Sequence, residues 1–98
     1  MTLDEYIDAA KSAQSLHFDR ELDRFLGYKG TACSFWRSKK SRPSAEGMVA
    51  LAEAAGLDPH VAIIELGLIT AEQNHNEHMV IIYQDLKEKV KAASQLAA

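Results

Sequence analysis

Apolar residues in this chain recur at spacings of three and four along nearly its whole length, and nowhere do they alternate one by one between hairpin turns. That period lays a stripe along one face of a helix and leaves a strand no face to bury, so it restricts the chain to an all-α fold. Helix-stopping and helix-starting residues divide the pattern into short lengths. Gly27 and Gly56 stand where helices stop, and Pro43-Ser44 and Asp58-Pro59 where the next ones begin.

The stripes predict six helices. Thr2 and Glu5 have the spacing of a capping box, and Leu3, Tyr6, Ile7, Ala10 and Ala13 predict a first helix over residues 3–14. A second fits residues 19–26, with Leu22, Phe25 and Leu26 inward, and a third residues 30–38, with Cys33 and Trp36 on one face. Ser44 caps a fourth, whose stripe is Met48, Leu51, Ala52 and Ala55. The fifth buries Val61, Ile64, Leu66 and Leu68. After a polar stretch over residues 72–77, a sixth carries Met79, Ile82, Leu86, Val90 and Ala93.

At 98 residues and 47% hydrophobic, the chain has material for one core, expected as a domain over residues 1–70 with an added helix over 71–98. Cys33 is the one cysteine, so no internal disulfide forms, and the N-terminus lacks the layout of a signal peptide. No apolar run approaches the roughly 20 residues a membrane span needs. These features together predict a cytoplasmic protein that does not span a membrane.

Charge is the most uneven property. Between Arg24 and Ala45 stand six cations (Arg24, Lys29, Arg37, Lys39, Lys40 and Arg42) and no acid, so that stretch carries +6 while the rest carries −9. A chain at −3 overall would not be read as a nucleic-acid binder from its pI, but phosphate recognition depends on where cations cluster. The cluster coincides with the parts of a helix-turn-helix: an abrupt helix end at Gly27, a turn through Tyr28 and Lys29, and a short second helix. Lys29, Gly30, Thr31 and Ser34 lie at the end of that helix that meets base edges. Arg37, Ser38, Lys39, Lys40 and Arg42 are placed to hold phosphates.

With those residues in view, residues 1 to about 70 resemble the five-helix DNA-binding domain of Cro and lambda-repressor-type regulators. The match runs without a gap through Leu22, Leu26 and Gly27, then Cys33 and Trp36, then Pro43 and Ser44, then Leu51, Ala52 and Gly56. The resemblance implies a sequence-specific double-stranded DNA-binding repressor, of phage or prophage type, binding a palindromic operator as a homodimer without a cofactor. Three departures stand out. Asp23 replaces a small residue and must reach solvent or a cation such as Arg37; Asp19 puts a carboxylate where relatives touch phosphate; and Arg37-Ser38-Lys39 removes a glycine from the helix exit.

Enzymatic chemistry has no support in the residue pattern: no Ser-His-Asp order, phosphate-binding glycine loop or paired-carboxylate motif occurs. His75 and His78 make a poor metal site without further ligands, Cys33 and Trp36 read as core, and Phe35 fits either packing or a thymine methyl. The stripe of the sixth helix suits either folding back over the core or pairing with a second subunit, and function favours pairing, with Met79, Ile82, Tyr83, Leu86 and Val90 as the dimerisation residues. The alternative is a protein-interaction module, an antirepressor or adaptor, or the antitoxin of a toxin-antitoxin pair, using the same helix for a protein partner.

Overall fold

The structure, a computed structural model, describes the backbone of residues 1–97 and the side chains of residues 1–93. Six helices occur among them and no strand: α1 (Leu3–Ala13), α2 (Asp19–Phe25), α3 (Ala32–Arg37), α4 (Ala45–Ala54), α5 (Pro59–Gln73) and α6 (Glu77–Ala97). The all-α expectation holds. The chain divides into two compact units, Met1–Pro59 and His60–Ala98.

In the first unit the capping box forms as the spacing predicts. The Thr2 hydroxyl accepts from the Glu5 amide at 3.2 Å and the Glu5 carboxylate accepts from the Thr2 amide at 2.9 Å. Leu3, Tyr6, Ile7 and Ala10 of α1 are buried with Leu22 of α2, Cys33 and Trp36 of α3, and Met48, Leu51, Ala52 and Ala54 of α4. Trp36 meets Tyr28 edge-to-face, with centroids 5.5 Å apart. The Tyr28 hydroxyl in turn lies over Gly47 of α4, where an added Cβ would come within 2.6 Å of it. The Gln14 amide ties the end of α1 to the Ala54 carbonyl of α4 at 2.9 Å.

One helix start and several apolar positions differ from expectation. Helix α3 begins at Ala32 with Thr31 as its N-cap, so Gly30 belongs to the preceding turn, at φ +122°. Phe25 is 54% exposed, because α2 turns Leu22 and Asp23 inward and that arc leaves Phe25 more than 90° from its centre. Ala13 and Ala55 likewise sit outside the buried set.

Five of the helices end alike. In each, the amide of one residue reaches back to the carbonyl five positions earlier: Leu16 to Lys11, Tyr28 to Asp23, Lys40 to Phe35, Leu57 to Ala52 and Asn76 to Ala71. The residue before each of these amides takes a left-handed conformation. At Gly27 and Gly56 that conformation is free of steric cost, whereas Ser15, Lys39 and His75 adopt it at φ +57°, +64° and +55°.

The second unit is an antiparallel pair. His75 marks the bend, after which α6 runs back along α5 so that Lys87 reaches Glu65 at 2.8 Å and the Tyr83 ring covers Gly67. Glu65 is only 3% exposed. Its carboxylate raises the pKa of Lys87, chiefly through their hydrogen bond, because a charged ammonium there is held by an opposite charge. On α5, Ile64 is buried as expected, and Ala62, Glu65 and Ala71 join it while Val61, Leu66 and Leu68 are half-buried.

Candidate nucleic-acid interface

Helices α2 and α3 are joined by residues 26–31, and the geometry of that joint starts at Gly27. Its φ of +91° closes α2, with the Gly27 amide donating to Arg24 at 3.1 Å and the Tyr28 amide to Asp23 at 2.8 Å. The chain then passes Lys29 and Gly30 and re-enters a helix at Thr31. Thr31 makes no side-chain cap bond and is exposed. The capping work falls to Asp23 of α2, whose Oδ1 accepts the Cys33 amide at 2.9 Å.

Asp23 is 1% exposed and its partner is neither solvent nor Arg37, contrary to both expectations for it. A buried carboxylate aimed at a helix N-terminus is satisfied by an orphan amide and by the positive end of the helix dipole. It also explains the thiol beside it. Burial, then the Asp23 carboxylate, push the pKa of Cys33 far up, so Cys33 is a neutral core group.

Arg37 has a different place from the one its charge suggested. Its Nε donates to Asp19 Oδ2 at 2.7 Å and its Nη2 to Asp19 Oδ1 at 3.1 Å, a two-pronged grip on the first residue of α2. Nη1 donates to Asp4 at 3.1 Å and Nη2 also to Asp8 at 2.7 Å, both on α1. Lys11 approaches Asp19 at 3.0 Å from the other side. The pKa of Asp19 is lowered, first by the Arg37 hydrogen bond, and that of Arg37 is raised by the same bond. Helical phase carried the signal: Cys33, Trp36 and Arg37 are spaced as i, i+3 and i+4, the inward stripe of a helix.

The remaining expected contacts lie outward. Lys29, Thr31, Ser34, Ser38, Lys39, Lys40 and Arg42 are exposed, and Gly30 is half-buried. Phe35 is 42% exposed, and the Lys40 ammonium stands 5.5 Å from its ring centroid. The Ser38 hydroxyl donates to the Phe35 carbonyl at 3.2 Å, leaving its lone pairs outward. Sequence reasoning missed Asp23 as a cap and the Asp4, Asp8 and Asp19 cluster, whose members lie 18 to 33 residues from Arg37.

Of the expected dimerisation residues, Ile82 and Leu86 are exposed, Met79 and Val90 are half-buried, and Tyr83 is committed to Gly67 within its own unit. Ile81, not expected, is 65% exposed. Among the described residues no helix is long and apolar enough to cross a membrane, and no group of three His, Cys, Asp or Glu could hold a metal ion. Comparison with protein-family models, curated proteins and solved structures finds no match.

Proposed function

We propose that the chain is a sequence-specific double-stranded DNA-binding regulator that represses by occupying its operator. The observation that carries this reading is the outward surface of the α2–turn–α3 segment. It presents hydroxyls at Thr31, Ser34 and Ser38 and cations at Lys29, Lys39, Lys40 and Arg42, with no acid in the sequence between Arg24 and Ala45. An α-helix with its side chains is about 10–12 Å across, which fits a major groove about 12 Å wide. Thr31 and Ser34 then meet base edges, with the Gly30 backbone and Lys29 beside them, while Ser38, Lys39, Lys40 and Arg42 hold phosphates.

So short a helix reads few bases. Two copies on a palindromic site double the contacts, and the exposed Ile82 and Leu86 of α6 support pairing through that helix. The same exposed residues support the second reading, a module that docks a different protein through α6.

The test is selection from a random duplex library, followed by anisotropy titration of the recovered duplex across salt concentrations. The expected result is a recurring inverted repeat, with log K falling linearly as log salt rises. Replacing both lysines (Lys39→Ala with Lys40→Ala) should reduce that slope by about 2 per copy bound, at about 0.9 per phosphate contact. No recovered sequence and no binding at low salt would overturn the reading.

A further inference from the structure

We infer that Arg37 is a positioning residue: it fixes the pitch of α3 against α1 and α2 and masks Asp19 from the DNA backbone, without itself binding DNA. The inference rests on the DNA-binding reading for its second half and on geometry alone for its first.

A six-residue helix has no stability of its own, since isolated helices below about 12 residues are marginal in water. Its direction must therefore come from tertiary ties, and α3 has one at each end. Asp23 of α2 holds its N-terminal amide, and Arg37 in its last turn is held by Asp19 of α2 together with Asp4 and Asp8 of α1. Both ties are made to carboxylates, and both lead back to α2. A helix pinned at its two ends against one neighbour can neither tilt nor rotate independently of it.

The donors of Arg37 are also nearly all spent. A guanidinium has five N–H groups in a fixed fork, and four hydrogen bonds to three carboxylates leave one of them. A phosphate taking more than the one remaining N–H would have to replace those bonds, leaving Lys11 as the nearby cation of Asp8 and Asp19. Asp19 begins α2, beside the surface proposed to approach the DNA backbone, where a bare carboxylate repels phosphate. With Arg37 in place that repulsion is neutralised by an ion pair internal to the protein. The cation thus aids binding through Asp19 and α3, not through a contact of its own.

The experiment combines salt titration with urea unfolding for Arg37→Ala, Arg37→Lys, Asp19→Asn and the double variant Arg37→Ala with Asp19→Asn, on the selected duplex. Arg37→Ala should weaken binding about tenfold at fixed salt with an unchanged salt slope, because no phosphate contact is lost. Adding Asp19→Asn should recover a large part of that loss by removing the unmasked charge. In urea the two substitutions should be non-additive, the double variant folding about as well as Arg37→Ala alone. If Arg37→Ala fails to fold, Arg37→Lys takes its place, and it should keep the slope while losing affinity. A slope reduced by about 0.9 per copy, with no recovery from Asp19→Asn, would make Arg37 a phosphate ligand and overturn the inference. If the chain binds no DNA at any salt, the DNA-binding reading falls by itself. The unfolding cycle then decides the clamp: non-additive effects uphold it and additive ones overturn it.

Discussion

The two sides of α3 use polar residues in opposite ways. On the inner side every charged group meets a defined partner: Asp23 takes the Cys33 amide, and Arg37 takes Asp4, Asp8 and Asp19. On the outer side Lys29, Thr31, Ser34, Lys39 and Lys40 stand exposed. Sequence alone counts the cations from Arg24 to Arg42 as one patch, whereas folding assigns them two jobs. Arg37 goes to the architecture and the others stay outward. A basic run in sequence therefore overstates the outward basic surface by the number of its members that share the phase of the core.

The inner side should break first and hardest. Asp23→Ala leaves the Cys33 amide buried without its acceptor and removes the cap of α3, which should cost about 2–3 kcal/mol in urea unfolding. Asp23→Asn keeps an acceptor and should cost less than half as much. A loss below about 0.5 kcal/mol for Asp23→Ala would mean that the cap contributes little and that core packing alone holds α3.

A smaller effect should appear with pH. The pKa of Asp19 is lowered in the fold, so its contribution is fully present above the ordinary carboxylate pKa of about 3.9 and is lost as pH falls through the folded value. Stability measured from pH 6 downward should decline on that account, and Asp19→Asn should flatten the decline. Half-exposed partners and salt limit the effect to about 1 kcal/mol. An unchanged acid limb in Asp19→Asn would count against the Arg37–Asp19 grip.

The smallest change sharpens the outer side. Lys39 holds a left-handed conformation at φ +64°, where a side chain costs about 1 kcal/mol relative to glycine. Lys39→Gly should raise stability by up to that amount and, under the proposed DNA-binding reading, reduce the salt slope of binding by about 0.9 per copy. A gain in stability together with weaker binding would mark a position where charge is kept at the expense of backbone comfort.

Local rules were legible in the sequence wherever partners lie within one turn. The Thr2–Glu5 box, the Ser44 cap donated to by the Gly47 amide at 3.1 Å, the Gly27 and Gly56 exits and the burial of Cys33 and Trp36 all follow from spacing. Readings that depend on helices meeting in space were not legible. Phe25 carries an apolar side chain yet faces out, because Asp23 took the inward arc to cap α3. Arg37 is drawn by aspartates from two other helices, which no local window contains. Lys39 reaches the same exit geometry as a glycine, so the missing glycine altered the strain and left the shape of the turn intact.

The Asp23 cap also orders events in time. Helix α3 has no acid in its first turn and no cap from Thr31, so its N-terminus is satisfied only after α2 has folded and presented Asp23. Formation of α3 should therefore follow that of α2, with substitutions on α3 speeding unfolding more than they slow refolding. In the native state, each transient opening of α2 releases α3 with it. Amides of the two helices should then exchange with solvent at a common rate, as one cooperative unit.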